Sequence, residues 1–125
     1  MQGKVSKNDA IERLLRENRA RGLEKQATHF ASINARKEVW WYDISRKKVM
    51  SEKLQTLNIL AYDQRTNDLH HLVVPTQFLR DNLEKLFTRQ DKDTISLELS
   101  ASRSNFLQDV RSGGGRIQFL QFLKG

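Results

Sequence analysis

Between residues 39 and 74 the chain carries three apolar runs separated by polar breakers. Runs of β-branched, aromatic and aliphatic residues bounded in this way predict three consecutive strands. In the first, Val39, Trp41 and Asp43 face one side and Trp40, Tyr42 and Ile44 the other. Both sides are aromatic, so either both are covered or one tryptophan is left for a partner. Residues 45–48 read as a solvated basic turn, with Val49 and Met50 extending a hairpin. Residues 56–63 are almost continuously apolar, the pattern of a central strand. Residues 69–74 close an antiparallel hairpin across the polar stretch 64–68.

Periodicity changes on either side of this block. Leu79, Leu83, Leu86 and Phe87 recur at helical spacing after Pro75, predicting a helix over residues 76–88. Ile95, Leu97 and Leu99 alternate with Ser96, Glu98 and Ser100, predicting a half-buried strand over 94–100. At the other end, Ser6 and Asp9 form a capping box ahead of an apolar stripe of Ile11, Leu14 and Leu15. Leu23, Ala27, Phe30 and Ala31 continue the helical spacing, so a helix is expected over 7–31 with a bend or break at Gly22. In the tail, Asn105 caps one or two helical turns and residues 112–115 form a flexible turn. Residues 116–124 fit strand and helix periods about equally and are read as a short strand. The expected fold is α+β: a mostly antiparallel sheet of four or five strands, packed by an N-terminal helix and one middle helix. The order is helix-strand-strand-strand-helix-strand. The expected core is Leu57, Ile59, Leu60, Leu72, Val73, Val74, Leu79, Leu83, Leu86, Phe87, Ile95, Leu97 and Leu99.

Length makes this a single domain over residues 1–125, with 1–6 as a flexible N-terminal arm. The chain has no cysteine, which excludes disulfides and thiolate metal sites. No signal core or long apolar run occurs, so a cytoplasmic protein without a membrane partner is expected. The net charge of +7 is lopsided. Residues 1–53 hold 13 Lys/Arg against 7 Asp/Glu, and residues 54–125 hold 9 against 8. Positive charge concentrated at one end fits a polyanionic partner, nucleic acid before membrane.

That charge defines the candidate site. Arg13, Arg16, Arg19 and Arg21 lie on the first helix; Arg36, Lys37, Arg46, Lys47 and Lys48 flank the first strand; Trp40, Trp41 and Tyr42 lie between them. Cations interleaved with aromatic faces suit single-stranded nucleic acid, DNA or RNA, because every base has a face to stack on. The leading expectation is a non-catalytic nucleic-acid-binding domain whose contacts are these basic residues with Trp40 or Trp41. An aromatic run in a strand is, against this, more often core than platform. The alternative is a protein-interaction or oligomerisation module docking through Phe119, Leu120, Phe122 and Leu123.

Catalysis has less support. The element order is that of restriction-endonuclease-like nucleases, but no Asp or Glu is followed two positions on by Lys, the triplet those enzymes use. Asp43 and Asp63 remain as a carboxylate pair for a hard metal, against the plainer reading that Asp43 pairs with a basic neighbour and Asp63 starts a turn. His70 and His71 are adjacent on a strand, point to opposite faces and cannot share one ion. Residues 112–116 lack the spacing of a phosphate-binding loop. No cofactor and no metal are expected.

Overall fold

The computed structural model describes residues 4–124 and has an α+β fold with three α-helices and two three-stranded sheets. Helix α1 spans Lys7–Arg16. Its capping box closes as the spacing predicts: Asp9 N donates to Ser6 Oγ (3.1 Å) and Ser6 N to the Asp9 carboxylate (2.9 Å). Ser6 is thus tied to the helix, while residues 1–3 of the expected arm lie outside the described residues. The helix stops well short of residue 31, because Asn18 and Gly22 take positive φ (55° and 60°). The apolar residues beyond form a 3-10 turn, Lys25–Ala27, and strand β1, Thr28–Ser32. Period two wins there: Phe30 packs toward α1, whereas Ala31 packs into the main core.

Strand β2 is Val39–Ser45, and the basic run after it is helix α2, Arg46–Met50, rather than a turn. Strands β3 (Thr56–Asp63) and β4 (Asp68–Pro75) form the expected antiparallel hairpin. Helix α3 is only Thr76–Asp81. Thr76 does not cap it through its side chain; its hydroxyl donates back to the Leu54 carbonyl (2.7 Å). A 3-10 turn, Leu83–Lys85, then leads into an unforeseen strand β5, Phe87–Arg89. Strand β6, Thr94–Ser100, follows as expected.

The strands do not form the single sheet of four or five that the pattern predicts. One sheet has the order β1-β3-β4, with β1 parallel to β3; the other has the order β2-β6-β5 and is antiparallel throughout. β2 passes over β3 because α2 intervenes, and its partner β6 arrives much later in the chain. Nor is the tail a regular strand. It makes isolated bridges at Gln108–Gln118 and Leu72–Leu123 around a 3-10 turn, Leu120–Phe122. Phe119 and Phe122 meet Phe78 edge-on, at 5.6 and 4.8 Å between ring centres.

The main core lies between the sheets. Trp40, Tyr42, Ile44, Ile95, Leu97 and Leu99 meet Leu57, Ile59, Leu72 and Val74. Tyr42 OH and Trp40 Nε1 donate to the Leu60 and Tyr62 carbonyls (2.7 and 3.0 Å), so both polar edges are satisfied inside apolar surroundings. A second cluster on the far side of the first sheet joins Ala10, Ile11 and Leu14 of α1 to Leu60, Tyr62 and Leu69. Of the expected core, Val73, Leu83 and Phe87 are only half-buried.

Candidate nucleic-acid interface

The outer face of the second sheet is built by strict alternation. Because β2 and β6 register Trp41 against Glu98 and Asp43 against Ser96, these four side chains share the face opposite the core. β5 adds Phe87 and Arg89. Trp41 is 51% exposed, the most exposed large apolar side chain of the described residues. Its Nε1 donates to Ser96 Oγ (2.9 Å), which holds the indole over the sheet. The same hydroxyl oxygen accepts from Arg111 Nε (3.0 Å), and the Arg111 guanidinium sits 4.2 Å from the centre of the Phe87 ring. One buried oxygen therefore fixes an aromatic plane and a cation side by side.

Asp109 supports this arrangement from a segment bridged to β6 at Leu99. Its Oδ1 accepts from the Glu98 and Arg111 amides (both 3.1 Å), whereas Oδ2 is buried without a partner among the described residues. Burial pushes its carboxyl above the usual carboxylate range. The glycine loop packs alongside: Gly114 and Gly115 donate their amides to the Arg111 and Lys85 carbonyls, so neither amide is free to cradle a phosphate. Gly113, at φ 87°, approaches Phe87 so closely that a Cβ would stand 2.8 Å from the ring.

The residues that the sequence groups together are divided by the fold. Trp40 is core, 1% exposed, and is withdrawn from the surface. Arg36 and Lys37 are exposed in the turn before β2, and Arg46 and Lys47 at its other end on α2; among the described residues none of the four makes an ion pair. These bracket Trp41. Lys48 is half-buried and lies near His29 and Lys7. Arg13, Arg16, Arg19 and Arg21 belong to α1 and the segment after it, on the far side of the first sheet, with the core between them and Trp41. Arg13 is bonded to Glu17 and Asn67, and Arg19 to Glu17 and the Leu69 carbonyl. Ser96, Phe87, Arg89, Asp109 and Arg111 are absent from the sequence-based site. Ser96 had a signal, a small polar residue at an outward strand position; Arg111 had none.

The remaining candidates resolve plainly. Asp43 accepts from Arg89 (3.0 Å) on one sheet, and Asp63 from Arg65 (3.0 Å) on the other, where that guanidinium holds the Asp63 carboxyl below its ordinary range. The two carboxylates therefore do not form a pair, and among the described residues no group of three His, Asp or Glu is placed to hold a metal. His70 packs edge-on between Trp40 and Phe106, and His71 bonds Asn58 Oδ1 (2.9 Å) on the opposite face, as alternation requires. In the C-terminal patch, Phe119 is buried, Phe122 and Leu123 are half-buried, and Leu120 is exposed, so most of that patch already packs on this chain. Among the described residues no helix is long and apolar enough to cross a membrane. Compared with protein-family models, curated proteins and solved structures, the chain matches none.

Proposed function

We propose that the outer face of the second sheet binds single-stranded nucleic acid, with a base stacked on Trp41. The observation that carries this reading is the half-exposed indole, held in place through Ser96 Oγ on a strand whose two ends each present a pair of exposed cations. Seven residues of β2 at about 3.3 Å each set those cation pairs roughly 20 Å apart or a little more. A short run of nucleotides spans such a distance, its phosphates meeting Arg36 and Lys37 at one end and Arg46 and Lys47 at the other. Arg111, stacked on Phe87, supplies a further donor fork beside the base. Glu98, across from Trp41, orients the strand by repelling phosphate from its own side.

Binding to single- and double-stranded DNA and RNA at two salt concentrations tests the proposal. Trp41→Ala costs about 1–3 kcal/mol of binding to single strands. Replacing Arg46 and Lys47 by Gln weakens all sequences alike and flattens the salt slope by up to about 2. If neither change alters any affinity, the outer face is not the interface.

A further inference from the structure

We infer that a cleft on the opposite side of the molecule, between the segment after α1 and the outer face of β3 and β4, binds a tetrahedral oxyanion such as a phosphate monoester. The cleft has a volume of about 370 Å³ and is lined by Arg19, Arg21, Lys124, His71 and Asn58, with no carboxylate among the described residues that line it. Each cation is brought there by a different constraint. Arg19 is anchored by its bond to the Leu69 carbonyl. Arg21 precedes Gly22, whose positive φ turns the chain back toward β1. Lys124 is placed by its amide, which donates to the His71 carbonyl (2.8 Å). Glu17 bonds Arg19 from outside the cleft; Arg21 and Lys124 have no side-chain partner among the described residues.

Three like charges around one concavity repel one another, and a bound anion reverses that term. The cleft holds the volume of roughly a dozen waters, room for an anion carrying an organic group. At its floor His71 is bonded through Nε2 to Asn58 Oδ1, and its Nδ1 is buried without a partner among the described residues. Burial, Lys124 and Arg19 hold this histidine below its ordinary range, which favours the neutral form in the empty cleft. An anion beside it offsets the two cations and favours the charged imidazole, so binding draws a proton onto His71. The groups facing it are Asn58 from β3, Arg19 and Arg21 from the segment after α1, and Lys124 from the tail. The inference is independent of the Trp41 interface.

Calorimetric titration with sulfate, whose charge is constant across the range used, tests it at constant ionic strength made up with chloride. One saturable site is expected, weakened about tenfold or more in the Arg21→Gln, Lys124→Gln double variant and unchanged in Trp41→Ala. Repeating the titration at about pH 6 in two buffers of different ionisation heat should show net proton uptake. A phosphate monoester, phenyl phosphate, should compete with sulfate. No saturable heat beyond chloride, an unaffected double variant, or binding by oligonucleotides alone would each overturn the inference.

Discussion

The two sheets are the same size but are finished differently. The first has apolar cover on both faces, from the main core on one and from α1 over Leu60, Tyr62 and Leu69 on the other. β3 sends Leu57, Ile59 and Ala61 to the main core and Leu60 and Tyr62 to α1. The second packs into the core on one face only. Ile95, Leu97 and Leu99 enter the core, while the other face carries Ser96, Glu98, Asp43 and the exposed Trp41. The difference was written in the strands: a continuous apolar run demands two covers, whereas strict alternation demands one. A sheet face left without an apolar cover is where polar side chains can be organised by one another, as Trp41 and Arg111 are by Ser96. That makes the two adjacent tryptophans a sharp test, since one belongs to each environment.

The largest effect should come from the closed environment. Trp40→Ala removes a fully buried ring and its bond to the Tyr62 carbonyl, and should cost about 3–5 kcal/mol in denaturant unfolding. Leu14→Ala asks whether α1 is a structural cover. This side chain is 0% exposed against the first sheet, and a loss of about 2–5 kcal/mol is expected. A loss below ~0.5 kcal/mol would mean that the first sheet is as open as the second.

A titration gives the next effect. His29, on β1, is held down to about 4 by burial and then by the nearby Lys48 and Lys7, against an ordinary value of 6.5. The unfolded chain therefore binds the extra proton. The contribution is fully present above about pH 6.5 and is lost as pH falls toward 4, by at most about 3 kcal/mol. His70 and His71 are lowered in the same direction, so all three histidines destabilise the fold on acidification. His29→Gln should remove the largest part of that slope, read from unfolding midpoints across the interval; an unchanged slope would place His29 in water.

The open side should respond more weakly. Asp109→Ala leaves two amides without their acceptor and should cost about 1–3 kcal/mol. Asp109→Asn keeps Oδ1 as acceptor and removes a buried charge, so its stability at neutral pH should equal or exceed that of the parent. If both variants lose the same amount, the charge itself matters. Trp41→Ala should be the mildest, below about 1 kcal/mol, because Ser96 Oγ retains Arg111 as its donor. A loss matching that of Trp40→Ala would erase the distinction between the two environments and the interface with it.

What could be read from the chain alone was local. Alternation in residues 39–44 and 94–100, the hairpin across 64–68, the Ser6–Asp9 cap and the central place of β3 all follow from spacings of a few residues, over which the backbone itself fixes side-chain direction. The same spacing misled where two periods coincide. Phe30 and Ala31 satisfied a helical stripe until the positive φ at Asn18 and Gly22 released them to pair beside β3, and Phe87 fitted the α3 stripe yet joined β6. Tertiary structure alone decided which strand β2 would meet, and hence which tryptophan would be covered. It also parted the α1 arginines from Trp41 and brought Arg111 to Ser96. Those outcomes depend on closing loops of tens of residues, and their reward is burial and bonding to groups far away in the chain, so no local pattern encodes them.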